Sequence, residues 1–125
     1  MPFTLDESTW PIARLTIVDS VTHDEEDAIA SGSSGLSGKG EPYAVIVDLL
    51  RAGTPTPRFI RVQAAAQRQH FQAIAEHCTG IAFVINSPML RGALRAILYL
   101  QSLPCPQTVV KTIEEAEAWT SASLG

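Results

Sequence analysis

Tyr43-Ala-Val-Ile-Val-Asp48-Leu-Leu50 decides the fold of this 125-residue chain, and Ile81-Ala-Phe-Val-Ile85 repeats its message. Both are nearly continuous apolar runs, rich in β-branched residues. A strand with one wet face alternates polar and apolar side chains, whereas a run without alternation suits a strand covered by helices on both faces. The two stretches therefore read as interior strands of one sheet.

Working outward, Gly53-Thr-Pro-Thr-Pro57 breaks regular structure after the first strand, and residues 58–77 follow with helical periodicity. Phe59, Val62, Ala66, Ala73 and Ile74 fall on one side of that helix, Arg61, Arg68, Gln72 and Glu76 on the other. After the second strand, Asn86-Ser87-Pro88 places a capping side chain before a proline whose missing amide costs nothing in a first turn. That helix is expected to run to about Gln101.

Upstream, residues 3–6 and 12–18 read as two short strands joined through a Trp10-Pro11 turn. Thr22 and Glu25 have the spacing of a capping box, so a helix begins there. It is expected to be weak, because the glycines of Ser31-Gly-Ser-Ser-Gly35 and Ser37-Gly-Lys-Gly40 favour a flexible loop. Downstream of Leu103-Pro-Cys-Pro106, residues 108–111 form an edge strand, and Thr112-Ile-Glu-Glu115 is a second capping box opening a last helix through Trp119. The element order is ββαβαβαβα. It predicts an α/β domain over residues 1–125, with a mostly parallel sheet of four or five strands, right-handed crossovers and an antiparallel N-terminal hairpin.

Hydrophobic residues make up 46% of the chain and charged residues 18%, so one packed core is expected. A net charge of −4 gives no basis for gripping a phosphate backbone, and nucleic acid is not an expected partner. The longest apolar runs are strand-length, so no membrane insertion is expected. Residues 1–10 carry acids where a secretory leader carries a basic residue and a long apolar run, which predicts a cytoplasmic protein. Cys78 and Cys105 are too few for a disulfide framework or a zinc site, and both are expected to be reduced, Cys78 in the core and Cys105 in a loop.

No nucleophile is spaced to pair with His23, His70 or His77, the last two lying near the apolar side of the 58–77 helix. Asp24, Glu25, Glu26 and Asp27 suit the positive end of a helix dipole and read as a solvated cap, not a metal loop. Catalytic residues, metal ligands and cofactors are therefore expected to be absent.

The pattern resembles the STAS and SpoIIAA-like superfamily, small domains related to anti-sigma-factor antagonists. The carrying residues are 43–48, Gly80-Ile-Ala-Phe-Val-Ile85, Pro88-Met-Leu-Arg-Gly-Ala-Leu-Arg-Ala-Ile97 and Glu114-Glu-Ala-Glu-Ala-Trp119. The resemblance implies a small SpoIIAA-like (STAS) sandwich that regulates by binding proteins and is not an enzyme. Antagonists that act as phosphorylation switches resemble one another in an Asp-Ser-x-Gly motif after the central strand, which this chain lacks. Thr54 and Thr56 are the hydroxyls there, and turn residues before a helix are the favoured reading of both.

Two groups of residues are candidate sites. Helix starts at the carboxyl ends of parallel strands collect free amides, and here one such end carries Arg51, Thr54, Thr56 and Arg58, the other Asn86, Ser87 and Arg91. On the helix from Met89, a core stripe of Met89, Ala93, Ala96, Ile97 and Leu100 leaves Leu98 and Tyr99 beside Arg91 and Arg95 on an outer face of interface composition. The leading expectation is docking of a protein partner or a second copy through Arg91, Arg95, Leu98 and Tyr99 or the 53–58 loop. The alternative is a carrier or sensor of a small ligand (lipid, nucleotide or anion) near Thr54, Thr56, Arg58, Asn86 and Ser87.

Overall fold

In the computed structural model, which describes residues 3–125 and, at Ser34, the backbone alone, five strands and five helices form one α/β unit. In chain order they are β1 (Phe3–Asp6), β2 (Ile12–Asp19), α1 (His23–Gly35), β3 (Tyr43–Ala52), α2 (Pro57–Gln69), α3 (Phe71–His77), β4 (Cys78–Val84), α4 (Pro88–Leu100), β5 (Gln107–Val110) and α5 (Ile113–Leu124). A 3-10 turn, Leu36–Lys39, links α1 to β3.

The sheet runs β1-β2-β3-β4-β5 in strict sequence order, antiparallel between β1 and β2 and parallel thereafter. Val45 lies opposite Ala13 on one side and Ile81 on the other, so the two deciding stretches are hydrogen-bonded neighbours at the centre. Crossovers of one hand that always step to the next strand in the same direction must all lie on the same face. Hence α1, α2, α3 and α4 share one face, with α1 packed on α2 and α2 on α4, while α5 alone covers the other.

That lone helix sits close. Gly80 makes this possible: a Cβ there would meet the Trp119 ring at 2.7 Å. Trp119 and Ile113 pack with Ile46, Ala82, Val84 and Ala116, and Thr120 satisfies its buried hydroxyl on the Ala116 carbonyl at 2.8 Å. The other buried face holds Leu15, Ile17 and Ile29 at one side and Phe83, Ile85, Leu90 and Leu94 at the other.

Several local expectations need correction. The 58–77 helix is broken at His70 (φ −109°, ψ 18°) into α2 and α3. A straight helix of that length would span about 30 Å, more than the roughly 23 Å of the seven-residue β4 it must precede. The break turns Ile74 onto the cluster of Leu36, Tyr43 and Cys78. The glycine-rich stretch is not a flexible loop either. It completes α1 and the 3-10 turn, held by burial of Ile29, Ala30, Leu36 and Ser37, since packing of an apolar face outweighs weak propensity. The Thr22–Glu25 capping box is complete. At Thr112 only the hydroxyl caps a backbone amide, and Glu115 turns to that hydroxyl instead.

The interior stripe of α4 is also turned from the expected one: Leu90, Leu94 and Ile97 are buried, while Met89 and Leu100 stand 52% and 48% exposed. In a helix so rich in apolar residues two stripes have helical spacing, and the one with larger side chains buries more area.

Gly80→Ala is expected to lower stability by about 1–3 kcal/mol, the usual cost of overpacking. Urea unfolding read by Trp119 fluorescence checks it. Gly92→Ala is the contrast: a Cβ at Gly92 meets nothing, and the same melt should show a gain of about 0.5–1 kcal/mol from helix propensity.

Candidate functional site

The acidic start of α1 is the solvated cap that its composition suggests at Asp24 and Glu25, but not at Glu26. Glu26 is 0% exposed. Its carboxylate accepts from the Thr56 hydroxyl at 2.7 Å and from the Arg58 guanidinium at 2.7 Å. Arg58 also donates to both oxygens of Asp27 at 3.1 and 3.3 Å and to the His23 carbonyl at 3.3 Å. Thr56 meanwhile accepts from the Phe59 amide at 3.0 Å as the N-cap of α2. Burial alone would raise the Glu26 pKa, but the Thr56 hydroxyl and the Arg58 cation outweigh it and hold it below its ordinary value.

This places the sequence candidates. Thr56 and Arg58 are committed to Glu26, so both serve the α1–α2 contact. Thr54 is exposed, with its hydroxyl 3.7 Å from the Met89 sulfur, which brings the start of α4 against the 53–58 loop. Ser87 holds the N-cap position of α4 without a side-chain capping bond, and Asn86 is exposed beside it. Among the described residues, no three His, Cys, Asp or Glu side chains converge as a metal site. No helix there is long and apolar enough to cross a membrane.

Between the crossover helices and the sheet lies a cavity of about 180 Å³. Its floor is Leu15 and Ile17 of β2, Tyr43, Val45, Val47 and Leu49 of β3, and Ile81 and Phe83 of β4. Its roof is Ile29 and Ser33 of α1, Phe59, Gln63, Ala66 and Gln67 of α2, and Leu90, Ala93, Leu94 and Ile97 of α4. Val47, Leu49 and Ile81 are only half-buried although they lie on central strands, because they face this space. The exposed members of the lining, Asp19, Ser20 and Thr54, lie at or just beyond the carboxyl ends of β2 and β3, so the mouth is there.

Two amide atoms sharpen the picture. Gln63 Nε2 and Gln67 Oε1 are buried without a hydrogen-bond partner among the described residues, and both residues belong to the roof. An amide atom buried without a partner costs about 1–3 kcal/mol. Sequence reasoning missed the cavity, because Gln63 and Gln67 read only as polar residues of a helix. Their spacing of four, beside Phe59 and Ala66, was the available signal.

On the far side of α4, Tyr99 is 91% exposed. Arg91 and Arg95 are exposed two turns and one turn before it, and Gly92 is exposed between them in sequence. Among the described residues neither arginine forms an ion pair, whereas Arg14 pairs with Asp48 and Arg58 with Glu26. Leu98 departs from the expected outer face: it is half-buried against the Phe83 and Leu94 cluster.

The two cysteines meet in the core with Tyr43, and both thiols are free. The hydrogen bond with Cys78 and burial push the Cys105 pKa upward. Burial pushes Tyr43 up to about 12 against the lowering effect of its 2.6 Å bond with Ser37. Cys105 thus lies in its expected loop but under cover. Trp10, whose bond to Pro11 is cis, stacks on Tyr43 at 5.8 Å and donates to Glu41.

No protein-family model matches the chain, and no curated protein matches it. Solved structures do. An uncharacterised protein of the DUF3478 family with a SpoIIAA-like fold, from Shewanella loihica PV-4, is 13% identical with a TM-score of 0.67, over 94% of this chain and 91% of its own. The anti-sigma factor antagonist SpoIIAA in its unphosphorylated form is 16% identical with a TM-score of 0.67, over 95% and 97%. An anti-sigma factor antagonist from Mycobacterium paratuberculosis is 12% identical with a TM-score of 0.60, over 95% and 92%. The chain has the SpoIIAA-like fold, as the sequence resemblance implied.

The Glu26 contact predicts an acid limb in stability. A carboxylate held below its ordinary value near 4.5 stabilises the fold fully above that pH, and the contribution fades as pH falls through the lower folded value. Glu26→Gln is expected to cost roughly 2–3 kcal/mol at neutral pH, less than the penalty of breaking a fully buried pair because Arg58 is one-third exposed. In urea melts the gap between variant and wild type should narrow below pH 4.5.

Proposed function

We propose that this chain is a non-enzymatic regulatory module that docks an acidic surface of another protein on the outer face of α4. The observation that carries the reading is Tyr99, 91% exposed, in line with two exposed arginines that have no acidic partner among the described residues. Tyrosine and arginine are the residue types that dominate binding energy in protein interfaces. Arg51, Arg61 and Arg68 are likewise without an ion pair among the described residues, so it is the alignment of Arg91 and Arg95 with exposed Tyr99 that favours a partner bringing carboxylates.

Gly92 adds to this reading. With no side chain and nothing around its missing Cβ, it leaves α4 flat between Arg91 and Arg95, so a partner's backbone can approach closely. The SpoIIAA-like fold found in two anti-sigma factor antagonists supports a regulatory role without catalysis. Exposed Thr54 beside Met89 borders the same face, so the 53–58 loop extends the surface. Thr56 and Arg58 contribute by fixing that loop.

The test is capture of partners from the native cell extract by wild type, Arg91→Glu/Arg95→Glu, Tyr99→Ala and, as a control, Arg68→Glu on α2. The expected outcome is a protein retained by wild type and Arg68→Glu and lost with the other two. Calorimetry with that protein should show Tyr99→Ala costing at least about 1–2 kcal/mol, and affinity should fall with salt. An identical captured set for all four proteins overturns the reading. Light scattering across concentration separates self-association: a mass that doubles in wild type but not in Tyr99→Ala would make a second copy the occupant.

A further inference from the structure

We infer that the interior cavity is a binding site for a small aliphatic molecule carrying one uncharged hydrogen-bonding group, such as an alcohol or a primary amide. This goes beyond docking on α4 and does not depend on it.

Three observations converge. The space follows β3 from Tyr43 to Leu49, and most of its walls are aliphatic side chains, with Tyr43, Phe59 and Phe83 among them, an elongated apolar lining that suits an alkyl chain. At about 180 Å³ it exceeds an engineered apolar cavity of about 150 Å³ that takes up benzene. Native interiors close-pack and leave few voids larger than a water, so a space this large in a small domain has the size of a ligand site.

The second observation is the pair of orphaned amide atoms. Gln63 Nε2 offers a donor and Gln67 Oε1 an acceptor, one helical turn apart and both buried in the roof. A hydroxyl or a primary amide both accepts and donates, so one such group satisfies the two glutamines together, as they stand or with both amides turned over. The third is charge. Asp19, at the mouth, is the one acidic side chain in the lining among the described residues, and no described lysine or arginine lines the cavity. A carboxylate or phosphate would be buried without a counter-ion there, which is costly, and the mouth carries negative charge against it.

The polar group therefore goes to the glutamines and the alkyl chain along β3, over Val45, Val47 and Ile81. Exposed Asp19, Ser20 and Thr54 frame the way in, with Gly53 hydrogen-bonded to the Asp19 carbonyl at 3.0 Å at that end.

The experiment uses the full chain and three probes of equal chain length, 1-octanol, octanamide and octanoate at neutral pH, in thermal melts and in two-dimensional NMR titrations. Saturating 1-octanol and octanamide should raise the melting temperature by several degrees, as any ligand specific to the folded state does. The amides of Val45, Val47, Ile81 and Phe83 should shift, while octanoate leaves both readouts flat. Ala93→Phe fills the space and should abolish the shifts. Ala66→Leu, a smaller change in the same roof, should weaken them if Ala93→Phe fails to fold. Gln63→Leu/Gln67→Leu should melt higher than wild type without probe and bind 1-octanol about tenfold more weakly, because its amide partners are gone. No response to any probe overturns the site, as does an equal response in both Ala93→Phe and Ala66→Leu. Unchanged octanol affinity in the double leucine variant overturns the anchoring by glutamine and leaves only ordered water on those atoms.

Discussion

Glu26 holds a carboxylate where no water reaches it, and the positions of the crossover helices depend on that charge being answered. Its partners come from the far side of β3: Thr56 and Arg58 open α2, whereas Glu26 sits in the first turn of α1. A buried ion cannot drift from its counter-ion without a large penalty, so α1 and α2 are pinned to each other at one end. Each is separately fixed by its own cap, Thr22 for α1 and Thr56 for α2. Two capped helices joined at their starts form a roof whose geometry is set by polar contacts at its edge. Close packing on the sheet beneath is left without that control, and a cavity survives under them.

The opposite face of the sheet shows what close packing looks like in the same molecule. There α5 comes down until Trp119 rests on the bare backbone of Gly80, and Ala116 and Thr120 are fully buried. Thr79 bridges to Ser123 at 3.1 Å and to the Tyr43 carbonyl at 3.2 Å, so even the polar atoms at this seam are satisfied. One face is finished with small residues and a single large ring. The other is built of aliphatic and aromatic side chains that leave a gap between sheet and helices. Strand order explains why the labour is divided so unequally, since every crossover is obliged to land on the same side.

Most of this architecture was legible in the sequence, because strands buried on both faces announce themselves by losing alternation, as residues 43–50 and 81–85 do. Capping residues marked the starts of α1, α4 and α5 for an equally local reason. What failed to show were relations between distant residues. Nothing local distinguishes Glu26 from Asp24 or Glu25, and its burial follows only once Arg58 arrives from another element. The same holds for Gln63 and Gln67, polar by composition yet turned inward. The α4 stripe was misjudged for a different reason: with Met89, Leu90, Ala93, Leu94, Ile97, Leu98 and Leu100 all apolar, periodicity alone admits two solutions. The exposed Arg91, Arg95 and Tyr99 survived that rotation, and Leu98 did not.

The solitary helix on the second face also bears on how the molecule is made. Ile46, Ala82 and Val84 present an apolar surface that only α5 covers, and α5 is built from the last stretch of this sequence, residues 113–124. During synthesis the hairpin, both central strands and all the crossover helices emerge before it. A nascent chain can therefore assemble the roofed side while the reverse of the sheet stays bare, and closure waits until residues 113–124 have left the ribosome. Chaperone engagement during that interval would be directed to one side of a nearly complete sheet.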